Sequence, residues 1–153
     1  MPDDIRDVRD LERFIGAWDV EVDLPGVPAV RGSTTFDWLL GRRFLVQQAS
    51  ADHPEAPDGH MIITADTRRD SGYLQHYFDS RGVVRLYEMD VDGPDWTMTR
   101  TTADFSPLDF AQRWTSRFSD DGDTITGQWE TSPDGQEWTV DFRLTYRRAR
   151  AQD

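Results

Sequence analysis

The chain contains no cysteine, no lysine and no asparagine. Without cysteine it can form no disulfide, no thiolate metal site and no thiol nucleophile. Without lysine it has no amine for Schiff-base chemistry, and all 17 basic residues are arginine. No apolar run is long enough to span a bilayer as a helix. The acidic start Met1-Pro2-Asp3-Asp4 lacks the basic and apolar regions of a secretory signal, so a cytoplasmic protein is expected. Positive charge is in short supply. A net charge of -12 repels phosphate backbones and anionic lipid, which removes nucleic acid and membrane from the expected partners.

What the chain does have is aromatic residues and alternation. Its 153 residues suit one domain, residues 1–153, and the aromatic share of 12% offsets a modest apolar content. The stretch Ile15 to Leu24 sets the pattern. Trp18, Val20, Val22 and Leu24 point one way and Asp19, Glu21 and Asp23 the other, as in a half-buried strand. Before it, Ile5, Val8, Leu11, Phe14 and Ile15 give one apolar face to a short helix over 4–15, which Asp3 or Asp4 could cap and Gly16 ends.

After Gly16, alternating segments are separated by turn residues. Strands are expected at about 17–24, 30–39, 43–50, 60–66, 73–79, 83–89, 96–101, 110–118, 124–131 and 136–147, with a frayed tail over 148–153. There is no strand–helix–strand repeat, and every neighbouring pair can form a hairpin. An all-β, roughly ten-stranded antiparallel up-and-down barrel over 17–147 follows, since closure removes the exposed edges. An immunoglobulin-like sandwich is the competitor, disfavoured by the leading helix and the meander of short turns.

The helix followed by Gly16-Ala17-Trp18 resembles the Gly-x-Trp opening of the lipocalin and fatty-acid-binding (calycin) superfamily. The ten strands, the size, Leu40-Gly41-Arg42-Arg43-Phe44-Leu45 and the ending Trp138 to Arg147 are similar to its nitrobindin-like branch and to a bacterial family of small barrels near it. The resemblance covers about residues 10–148. It implies a barrel with a cavity for a small apolar ligand, and an arginine, Arg147 or Arg148, packed on Trp18. Nitrobindins bind haem through a histidine near the C-terminus. Here the histidines are His53, His60 and His76, none in the last two strands, so neither haem nor another cofactor is expected.

Polar residues on otherwise apolar faces are the candidate ligand contacts. Phe110, Gln112, Trp114, Ser116 and Phe118 share a face, which turns Gln112 and Ser116 inward. Trp138, Val140, Phe142, Leu144 and Tyr146 form a second inward row. Phe36 and Trp38, and Phe44, Val46 and Gln48, are expected wall residues, and Trp129 is expected in the core. The hairpin from Tyr73 to Met89 is apolar on both faces, which the N-terminal helix or the second subunit of a homodimer could cover. With a loop of Asp79 to Gly82, His76 lies across from Arg85; with a loop one residue shorter, it lies across from Leu86.

The expected ligand site is His76, Arg85, Tyr87, Arg100, Gln112 and Trp114, with His76, Tyr87 and Glu88 as acid–base candidates. No histidine pair has metal-ligand spacing, and Asp120, Asp121 and Asp123 read as a turn rather than a calcium loop, so no metal is expected. The leading function is a binding protein holding a small hydrophobic or aromatic ligand inside the barrel. The alternative is a cofactor-free isomerase, cyclase or lyase with His76 as acid or base, and a third possibility is a filled barrel with no cavity.

Overall fold

A computed structural model describes residues 8–149. A short 3-10 helix, Arg9–Phe14, precedes ten strands: β1 Gly16–Asp23, β2 Val30–Leu39, β3 Phe44–Ala51, β4 Gly59–Ala65, β5 Tyr73–Asp79, β6 Val84–Asp92, β7 Asp95–Arg100, β8 Ala111–Phe118, β9 Thr124–Ser132 and β10 Thr139–Arg148. Each strand pairs antiparallel with the next, and β1 pairs with β10. The result is a closed up-and-down barrel. Among the described residues no helix is long and apolar enough to cross a membrane.

The helix differs from expectation in kind. Arg9–Phe14 is two short 3-10 turns that meet at a kink at Leu11, whose φ -93° and ψ 19° are not helical, in place of one α-helix. Ile5 and the capping aspartates lie outside the described residues. Val8, Leu11 and Phe14 are all fully buried, each worth about 1.5–3 kcal/mol of apolar burial. They close one end of the barrel. The Phe14 ring sits 5.0 to 5.2 Å from those of Phe36, Trp96 and Phe118.

Trp18 and Arg148 lock this closed end. The Trp18 indole N–H donates to the Phe14 carbonyl at 2.9 Å. Arg148 lies 4.2 Å over the Trp18 ring and donates to the carbonyls of Ile15 and Arg13 and to Asp123. Gly16, at φ +125°, allows the sharp turn from helix to strand; a Cβ there would stand 3.2 Å from the guanidinium of Arg148. Arg148, expected in a frayed tail, is instead the last residue of β10 and is fixed by these bonds. Residues 150–153 lie outside the described ones.

Strand β10 also starts later than expected. Asp134 accepts the backbone N–H groups of Gln136 and Glu137, which holds 133–138 as a loop. Trp138 leaves the inward row and lies under Arg113 at 4.3 Å, outside the barrel. A bulge between Val140 and Phe142 sets the register that turns Phe142, Leu144 and Tyr146 inward.

Candidate ligand cavity

The half of the barrel away from the helix is hollow. A cavity of about 450 Å³ runs to a mouth between the β1–β2 and β3–β4 loops, where Leu24, His53, Glu55 and Pro57 form the rim. Its two sides differ in chemistry. Trp114 on β8, Trp129 on β9, and Phe142 and Leu144 on β10 make an aromatic and aliphatic wall. Opposite it runs a row of neutral polar groups from three strands. Gln75 on β5 donates to the side-chain carbonyl of Gln47 on β3 at 3.3 Å, and Gln47 donates to the Thr34 hydroxyl on β2 at 3.5 Å. All three are at least 98% buried.

These polar residues were not expected, and the reason is register. The reading of β3 placed Phe44, Val46 and Gln48 inward. The pairs Leu39–Phe44 and Leu45–Ile63 put Leu45 and Gln47 inward instead. The β5–β6 hairpin takes the shorter of the two loops considered, with His76 across from Leu86 and Tyr77 across from Arg85. Gln75 and Tyr77 then face the cavity. His76 lies on the outer face, where its Nε2 is 3.3 Å from the Thr64 hydroxyl. Burial among Ile62 and Leu86 lowers its pKa from the ordinary histidine value.

Of the six expected ligand residues, Trp114 lines the cavity. Tyr87 and Gln112 meet behind it: the Tyr87 hydroxyl donates to Gln112 Oε1 at 2.9 Å, both side chains buried. Burial pushes the Tyr87 phenol up from its ordinary value. Arg85 lies at the upper rim, 5.9 Å from the Phe110 ring. Glu88 is on the outer face, 3.9 Å from Arg68. Tyr87 and Glu88, proposed as an acid–base pair, thus stand on opposite faces of β6.

Arg100 points inward at the end of β7, where its Nε and Nη2 are engaged. It makes two bonds to Asp104, at 2.8 and 3.0 Å, and donates to the carbonyls of Ser106 and Pro107. The cause is a mismatch of strand lengths. The β6–β7 ladder begins at Glu88–Thr99, so β6 extends above it. The loop after β7 folds over that edge: Asp104 accepts the Leu86 N–H and Ser106 donates to the Val84 carbonyl. Arg100 holds this loop in place and does not line the cavity. Its hydrogen bonds hold the Asp104 carboxyl well below the usual range despite burial.

The Tyr77 phenol at the cavity is committed too. Tyr77 donates to Asp79 at 2.7 Å, and burial together with that bond pushes its pKa far up. Tyr146, buried against Gln47, is raised for the same first reason. Trp96 and Trp114 hold buried indole N–H groups without an acceptor, their rings surrounded by other rings. Trp114 lies across Gly127, where a Cβ would come within 2.6 Å of the indole. No group of three or more His, Asp or Glu side chains is placed to hold a metal ion among the described residues.

No protein-family model and no curated protein sequence matches the chain. Solved structures match it in shape. The crystal structure of Rv2717c from M. tuberculosis aligns with a TM-score of 0.63 at 14% identity, covering 93% of this chain and 96% of that one. The S-type phycobiliprotein lyase CPES from Guillardia theta aligns with a TM-score of 0.57 at 12% identity, covering 96% and 95%. The fold is calycin-like. At these identities the likeness is one of fold alone.

Proposed function

We propose that the protein is a carrier for a small, planar, mostly apolar molecule held in the barrel cavity. The observation that supports this is the cavity itself. About 450 Å³ falls in the range of small-molecule sites, and one aromatic wall facing one polar row is how such sites orient a ligand. The nitrobindin-like resemblance adds haem as a candidate, but the residues present do not suit it. His60 alternates with the inward-facing Gly59 and Met61, and like His76 it faces outward. His53 sits on the mouth loop with its Nδ1 taken by the Glu55 N–H, and no cation lines the cavity to meet haem carboxylates. The isomerase reading loses support with His76 and Glu88 outside the barrel.

The test is native mass spectrometry of freshly purified protein, followed by titration with a fluorescent apolar dye. The wild type should carry a bound mass or bind the dye once per chain. Ala49→Trp, which places an indole in the hollow without touching the buried cluster at the closed end, should abolish both. Dye binding equal in the two proteins would refute the carrier reading.

A further inference from the structure

We infer that the cavity selects an uncharged ligand carrying a hydrogen-bonding group, such as a phenol, an amide or a lactam, and discriminates against carboxylates such as fatty acids. The inference rests on the carrier reading and narrows it.

The first observation is charge. Among the described residues no arginine lines the cavity, and the chain has no lysine. Arg100 is paired with the Asp104 carboxylate through Nε and Nη2, which neutralises it, and it does not line the cavity. A carboxylate brought into the cavity would lose its water without gaining a counter-ion. At the rim, Arg85 lies near Phe110 and the Tyr87 phenol. The mouth loop over 52–58 carries Asp52, Glu55 and Asp58, and His53 is its one basic side chain. These carboxylates repel an anionic head group at the mouth.

The second observation is the polar row. Its hydrogen bonds run one way, Gln75 to Gln47 to Thr34. Gln47 accepts from Gln75 and donates to Thr34, so the middle of the row is occupied. At its start, the side-chain oxygen of Gln75 accepts no bond from another described residue, although Gln75 is 98% buried and lines the cavity. An acceptor open to the cavity can take a ligand donor in place of water. A ligand O–H or N–H satisfies it, and a bare hydrocarbon or a carboxylate does not. The aromatic wall of Trp114 and Trp129 then takes the face of the ligand.

The experiment compares four molecules on one skeleton by calorimetry: naphthalene, 2-naphthol, 2-naphthamide and 2-naphthoate. At pH 8 the naphthol and the amide should bind most tightly. The naphthoate should bind at least ~10-fold more weakly than the amide. Its affinity should rise as the pH is lowered toward 5 and its acid form appears. Gln75→Leu should weaken the naphthol and the amide by ~5–10-fold and leave naphthalene unchanged.

Naphthoate binding at pH 8 as tight as the amide, abolished by Ala49→Trp, would overturn the inference and leave the carrier reading standing. So would an unchanged amide affinity in a folded Gln75→Leu protein. The comparison of acid with amide uses the unaltered protein and holds whether or not the variant folds. If none of the four binds and the dye does not either, the carrier reading falls and this inference with it.

Discussion

Asp104→Asn isolates the interaction that decides the role of Arg100. The two side chains are 3% and 8% exposed, so this pair is shielded from solvent. Asparagine keeps the size and one acceptor oxygen, which can serve either the Leu86 or the Ser106 N–H. It removes the charge and one of the two bonds to the guanidinium. Breaking a buried pair by neutralising one member costs about 3–5 kcal/mol, because the other charge stays buried. The carbonyls of Ser106 and Pro107 still hold Nη2, which puts the expected loss at the lower end, about 3 kcal/mol. For a domain of this size that lowers the melting midpoint by ~6–12 °C.

Urea titration followed by tryptophan fluorescence, in 0.15 M and in 1 M NaCl, measures it. Salt should change the difference little, since screening acts on exposed charges. A loss under about 1 kcal/mol, or one that vanishes in 1 M NaCl, would refute the argument, because that is how a surface pair behaves. The pH dependence has a fixed sign. The folded-state pKa of Asp104 is held below its ordinary value of 3.8, first by the hydrogen bond from Arg100. The pair's contribution is therefore complete above about pH 5 and is lost as the pH falls through 4 toward the folded value. The difference between wild type and variant should shrink over that interval.

Two further substitutions test the cavity walls. Gly127→Ala would place a Cβ 2.5 Å from that of Ser116 and 2.6 Å from the Trp114 ring. A destabilisation of ~1–3 kcal/mol and an altered near-ultraviolet circular dichroism spectrum are expected; an unchanged spectrum would mean that Trp114 does not lie across this glycine. His76→Ala removes a side chain on the outer face, so affinity for any cavity ligand should stay within about twofold. A loss beyond tenfold with stability intact would return His76 to the site.

The sequence by itself determined the barrel, because its signals are local. Alternation marks a strand from within, and turn residues such as Ser80-Arg81-Gly82 and Asp120-Asp121-Gly122 mark where each ends. It also determined the inner face of β8, where Gln112, Trp114 and Ser116 alternate with the charged Arg113 and Arg117. Gly16 and Trp18 pointed to the closed end, and Arg148 packs there.

Tertiary structure decided the cavity. Strands β3 and β5 carry apolar and polar residues on both faces, so alternation cannot choose between Gln47 and Gln48 or between Gln75 and His76. The choice comes from cross-strand register, and a slip of one residue exchanges the faces. The role of Arg100 was decided by a loop: Asp104 is its partner because β7 is too short to cover the upper end of β6, a fact of lengths in the closed sheet that no local pattern carries.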